Sequence, residues 1–208
     1  MMHLILADSE LEIMPKIKNE LLDSSLHHHL MKKMKIKDWR RRGRPDIAHF
    51  FLIVAMESIL NKKNLLRVYI HTRNDEVIYI KPYMRIIKNY DRFKGLMKKL
   101  FEEGRVPKNN PLMIIKNENL FELLEKIDAK KILFTRKGRK ISPCDLQAIY
   151  EKDVACIIGG FPSGYFITKG IEKKVDEIVS IYDEMLPAWT VAMEAIIAYE
   201  YKFCQKFL

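Results

Sequence analysis

The chain has 208 residues, enough for one large or two small domains and for a core that needs no covalent staples. Hydrophobic residues make up 48%, which excludes a disordered chain. Three scattered cysteines (Cys144, Cys156, Cys204), with no Cys-x-x-Cys pair, argue against a disulfide framework or a zinc site and point to a reduced, cytoplasmic setting.

Residues 3–7 read as a buried first strand, and the acid that follows so early argues against a signal peptide. Asp8 or Ser9 is placed to cap a short helix that Pro15 interrupts. Lys and Arg outnumber Asp and Glu by 37 to 27, a net charge of +10. Residues 32–44 hold eight of these bases (Lys32, Lys33, Lys35, Lys37, Arg40, Arg41, Arg42, Arg44) against Asp38 alone, so this stretch carries seven of the ten net charges. Such a block is either the footprint of phosphate contact or a solvated tail. It lacks the apolar stripe of a membrane-surface helix, and no apolar run approaches the roughly 20 residues that span a bilayer.

Asp46 stands as the cap of an apolar helix over 47–60. Residues 65–71 and 76–80 form a hairpin, with Arg67, Tyr69 and His71 on one face and Val68 and Ile70 on the other. A helix over 91–103 stops at Gly104. Beyond it, strands at 112–116, 131–135, 154–158 and 177–181 alternate with helices at 120–127 and 143–150 and a closing helix at 187–207. Ser142 caps the second helix and Pro143 opens it. This alternation predicts one α/β domain, a mostly parallel sheet covered by helices, with the residues before 112 as decoration on a single core.

Two loops are candidates for a ligand. Gly159-Gly160-Phe-Pro-Ser-Gly164 follows a buried strand, the place where open α/β sheets bind small molecules; it is equally readable as a tight turn. It is neither a Walker loop nor a dinucleotide fingerprint. Residues 180–191 lead from a strand end to a helix opened by Pro187, and read as an apolar cradle or as plain core. The triplet His27-His28-His29 has no acids or cysteines beside it, so no metal is expected. Lys130, Lys131, Arg136, Lys137, Arg139 and Lys140 read as a solvated hairpin face with some reach towards RNA.

Taken in order, Leu-Leu-Asp-Ser-Ser-Leu-His-His (21–28), Arg-Arg-Gly-Arg-Pro-Asp-Ile (41–47), Arg-Val-Tyr-Ile-His-Thr-Arg-Asn (67–74), residues 85–97, the 157–164 loop and residues 180–194 resemble the Nep/Emg family. These are SPOUT-class pseudouridine N1-methyltransferases of ribosome biogenesis. The resemblance implies a SPOUT fold with a C-terminal trefoil knot, which the periodicity does not show and which departs from the usual rule that chains are unknotted. It divides the chain into an RNA-facing part near 22–104, with a hairpin insertion, and a knotted cofactor-binding part near 110–208.

The resemblance further implies S-adenosyl-L-methionine as methyl donor, held by Phe134 and Thr135, by Gly159, Gly160 and Gly164, and by Ile181, Tyr182, Met185 and Leu186. Small-subunit ribosomal RNA is the implied partner, contacted by Arg44, Arg85, Lys88 and Arg92, in a homodimer that also meets ribosomal proteins. Lys88 stands where the family often has arginine, which removes a bidentate phosphate contact. Arg44 and Asp46 are the implied catalytic pair: Asp46 either caps the helix and holds Arg44, or takes the proton from the substrate nitrogen. A non-catalytic RNA-binding assembly factor with the same fold, and a SPOUT enzyme acting on transfer RNA, are the rival readings.

Overall fold

The computed structural model describes residues 1–14 and 20–204. Eight strands form one sheet in the order β4-β5-β3-β2-β1-β7-β6-β8. They are β1 (Met2–Ser9), β2 (Leu66–Thr72), β3 (Glu76–Ile80), β4 (Arg105–Val106), β5 (Met113–Asn117), β6 (Lys130–Lys140), β7 (Val154–Gly159) and β8 (Glu177–Ser180). The five strands β2-β1-β7-β6-β8 are parallel throughout, and β3, β5 and β4 add an antiparallel edge. The sheet is therefore mixed, with its parallel half carrying the cofactor candidates.

The chain's first strand is its central one. Met2, Leu4 and Leu6 face one helical layer while Ile5 and Ala7 face the other, so β1 is buried on both sides. Residues before 112 are therefore not decoration: they supply the middle of the core. Asp8 and Ser9 finish this strand and cap no helix; the chain continues extended, with Ile13 bridged to Leu21. Pro15 lies outside the described residues.

The helices are α1 (Ser24–Lys33), α2 (Pro45–Glu57), α3 (Ile59–Lys62), α4 (Tyr90–Glu103), α5 (Leu120–Glu125) and α6 (Ala188–Phe203). On one face of the sheet α2, α4 and α6 pack through their own Phe51, Leu52, Phe93, Met97, Ala192 and Ala195; on the other lie α5 and the segment around Ile171. A small third cluster of Met14, Leu22, Met31 and Ile36 anchors α1. The hairpin and the helix closed by Gly104 stand as expected, the latter with Gly104 in the left-handed region. The 143–150 helix is a 3-10 helix, Pro143–Ile149, capped by Ser142.

Two further expectations are corrected. The basic residues 130–140 form no hairpin. They lie on one strand, β6, which pairs in parallel with β8 on both sides of a four-residue excursion at 135–138. Gly138 makes the excursion possible, because a Cβ there would lie 2.4 Å from the Val179 backbone. His71 also breaks the hairpin's alternation: it is buried, its ring facing Asp8 at 3.5 Å and Asp75 at 3.2 Å.

Candidate active site

At the carboxyl ends of β6, β7 and β8 the structure closes a cavity of about 120 Å³. Its walls come from three places: Phe134, Thr135 and Arg136 at the β6 excursion; Gly159, Phe161, Gly164 and Tyr165 after β7; and Ile181, Tyr182, Met185 and Leu186 after β8. Eight of the nine residues expected to hold a cofactor meet here. Gly160 does not. It packs behind the wall, where a Cβ would lie 2.7 Å from the Ser9 Cα, and its N–H donates to Ala7 O at 2.7 Å. The glycine pair thus divides its work: Gly159 keeps the wall open under the Phe161 ring, and Gly160 lets the loop cross β1.

The second half of the site is the turn before α2. Arg44 donates from Nε and Nη2 to both carboxylate oxygens of Asp46, at 2.8 and 2.7 Å. That bidentate hydrogen bond, reinforced by the charge of Asp46, raises the Arg44 pKa although burial opposes it. The sequence predicts Asp46 as the helix cap, and the structure corrects this. Arg44 occupies the cap position, Pro45 opens the helix with its fixed φ, and Asp46 sits in the first turn, where a carboxylate complements the exposed N–H groups. Both side chains remain about 30% exposed.

This turn is held against the cavity by a residue whose role the sequence does not reveal. Arg41 donates to Tyr165 O at 2.6 Å, and its guanidinium lies 4.0 Å from the Phe161 ring centroid. Arg41 also binds Glu10, which is wholly buried and takes Arg73 on its other oxygen. Arg42 closes a second buried pair with Glu12. The basic block is therefore neither a free tail nor a uniform phosphate surface. Its arginines 41 and 42 are paired with buried glutamates inside the fold, Arg44 is paired with Asp46 but stays partly exposed, and Lys32, Lys33, Lys35, Lys37 and Arg40 keep the outward charge. Gly43 allows the tight path between them: its φ is +69°, and a Cβ would meet Leu22 at 2.9 Å.

Asp23 ties α1 and α4 to the same turn. It caps α1 through Ser25 and accepts from Tyr90 Oη at 3.2 Å and Lys94 Nζ at 3.0 Å. Burial works against its charge, but the bonds from Ser25 and Lys94 outweigh burial and hold its pKa low. His27 accepts from the Asp23 N–H and faces Glu20, so its ring belongs to this cap. Arg92 stands exposed on the first turn of α4; Arg85 and Lys88 lie on the loop before it, outside the cavity, with Lys88 3.9 Å from Glu57.

A small-molecule cradle at parallel strand ends, beside a guanidinium–carboxylate pair on a basic surface, defines an α/β group-transfer enzyme acting on a polyanion. The family model described as EMG1/NEP1 methyltransferase matches residues 4–200, and the chain belongs to that family. It is 43% identical to the ribosomal RNA small subunit methyltransferase Nep1 of Methanothrix thermoacetophila, with 96% of each chain covered. It is also 43% identical to the protein of that name from Thermococcus sibiricus, covering 96% of this chain and 98% of the relative. The fold matches the crystal structure of Archaeoglobus fulgidus Nep1 bound to S-adenosylhomocysteine with a TM-score of 0.85 and 29% identity, covering 98% and 99% of the two chains.

Proposed function

We propose that the chain methylates nitrogen 1 of a pseudouridine in small-subunit ribosomal RNA, with S-adenosylmethionine as donor, during small-subunit assembly. The observation that carries this reading is the joining of the three-loop cavity to the Arg44–Asp46 turn through Arg41. The residues fit the donor. Strand-end backbone and glycines at 159 and 164 let peptide groups read an adenine, while Ile181, Met185 and Leu186 supply apolar contact. At about 120 Å³ the cavity is smaller than the 300–1,000 Å³ common for ligand sites, so binding would move the exposed Tyr182 and Met185 at its rim.

S-adenosylmethionine would supply an electrophilic methyl group on a sulfonium. The chain's own residues do the rest. A pseudouridine ring keeps an N–H at position 1 that uridine lacks, so the enzyme needs only to orient that nitrogen and stabilise its negative character as its proton passes to solvent water. Arg44, permanently charged and about 30% exposed, would face the uracil carbonyls and stabilise that charge. Asp46, with both oxygens engaged by Arg44, fits a positioning role better than a proton acceptor.

The wider organisation follows the same reading. One domain carries an RNA-facing part at about 22–104, with Arg44, Arg85, Lys88 and Arg92 as contacts, and a cofactor-binding part at about 110–208 threaded as a trefoil knot. A homodimer is supported by the apolar stripe of Met193, Ile197 and Tyr201 exposed along α6 beside Phe50. A cytoplasmic setting accords with the free cysteines; among the described residues no helix is long and apolar enough to cross a membrane. Calorimetry with S-adenosylmethionine tests the reading: micromolar or tighter binding is expected, and an absence of binding would favour an assembly factor without catalysis.

A further inference from the structure

The other large concavity lies away from the cradle. It is a trough of about 1130 Å³, walled by the end of α2, α3, the amino end of β2, the loop 81–88 and β5. Arg67 at its floor is level with His3 and Ala155, whereas Gly159 of the cradle is level with Ala7. Four residues at roughly 3.3 Å each, and two strand spacings of roughly 4.8 Å, separate the two sites.

Six cations line the trough, Lys62, Arg67, Lys81, Arg85, Lys88 and Lys116, against one acid, Glu57. Glu57 is shared by Lys62 at 4.0 Å and Lys88 at 3.9 Å. Among the described residues no carboxylate lies within ion-pair reach of Arg67, Lys81, Arg85 or Lys116; Arg67 turns instead to the carbonyls of Asn64 and Leu66. This differs from Arg41 and Arg42, whose charges are taken up by buried glutamates. The trough keeps its charge for a ligand.

One feature beyond charge indicates the ligand's chemistry. Met84 and Ile86 are buried, so the loop between β3 and α4 holds Tyr83 and Arg85 outward; Tyr83 is 72% exposed, a flat ring at the rim. Asn61, 7% exposed, fixes this loop to the end of α2 by donating from its amide N to Met56 O and Pro82 O. Phosphates on the cations and a base stacked on Tyr83 together describe single-stranded RNA; an acidic peptide would use only the cations.

We infer that this trough extends the RNA-facing surface beyond the proposed contacts Arg85 and Lys88, through Arg67, Lys81, Tyr83 and Lys116, and takes the single-stranded RNA flanking the methylated nucleotide. The inference rests on the ribosomal RNA reading above and extends it to the opposite end of the strands. The test uses the full chain and fluorescence anisotropy with two RNAs: a short target loop, and the same loop with about ten unpaired nucleotides on either side, within the span of known single-strand sites. The extension should tighten binding, and Tyr83→Ala should weaken the longer RNA roughly fivefold or more. Lys81→Ala with Lys116→Ala should reduce the slope of log affinity against log salt by about 1.4 for the longer RNA, at roughly 0.7 per lost contact. Neither variant should alter binding or methylation of the short loop.

An extension that gives no gain, or a gain that survives these substitutions, would overturn the inference while leaving the main reading intact. So would a polyglutamate peptide that competes for the extension as well as RNA of equal charge does; that would assign the trough to acidic protein. If the unmodified chain binds neither RNA, the ribosomal RNA reading itself fails.

Discussion

Arg44 carries the proposed chemistry, and its environment says what its removal should do. Arg44→Ala leaves Asp46 a free carboxylate beside the RNA and removes the cation from the uracil carbonyls. Single-turnover methyl transfer should fall roughly 100-fold or more, the range seen when one charge-stabilising donor is lost, while affinity for S-adenosylmethionine changes little. Arg44→Lys should recover only part of this, since an ammonium cannot repeat the two-point bond to Asp46.

A second residue-scale prediction concerns pH. Burial, then the neighbouring N-terminal ammonium and Arg67, lower the His3 pKa from 6.5 to about 4. Below pH 6.5 the unfolded chain gains a proton that the folded chain refuses until about pH 4, so stability is lost as pH falls through that window. Urea melts at pH 7 and pH 5 should show a smaller drop for His3→Gln than for the unaltered chain; an equal drop would place the acid sensitivity elsewhere.

Elements show how far local pattern reaches. The hairpin, α4 and the strand–helix alternation after 112 are legible because each rests on periodicity and caps within about a dozen residues. Helix α1 is not. Its buried face holds only His27 and Met31, while Leu26 is exposed, so no apolar stripe marks it. The central place of β1 is also hidden, because its partners Leu66 and Val154 lie far along the chain. The same holds for the neutralised arginines: Glu10 and Glu12 lie about 30 residues from Arg41 and Arg42, and nothing in the charge run shows the pairing.

The glycine loop separates into two predictable parts at this scale. Gly160→Ala pushes a methyl group against the Ser9 backbone and should cost about 1–3 kcal/mol of global stability, as overpacking does. Thermal melts and S-adenosylhomocysteine titrations of the folded variant should show a lowered Tm with nearly normal affinity. A normal Tm with lost affinity would make Gly160 a cradle residue after all.

At the scale of the whole molecule, the cradle residues were brought to one place by loops from three strands, a convergence that only the family resemblance anticipates. The neighbouring α6 face is the proposed dimer contact, with Ile197 half-exposed between Met193 and Tyr201 and the Phe50 and Trp189 rings 5.0 Å apart beside it. Ile197→Glu places a charge in that patch; light scattering should read a monomer where the unaltered chain reads a dimer, and an unchanged mass would remove α6 from the interface.

The most direct measurement offers the chain a methyl-labelled donor with two RNAs that differ at one loop position, uridine in one and pseudouridine in the other. Label should enter only the pseudouridine RNA, and should fall with Arg44→Ala. Equal labelling of both RNAs, or of neither while S-adenosylmethionine still binds, would contradict methylation at nitrogen 1.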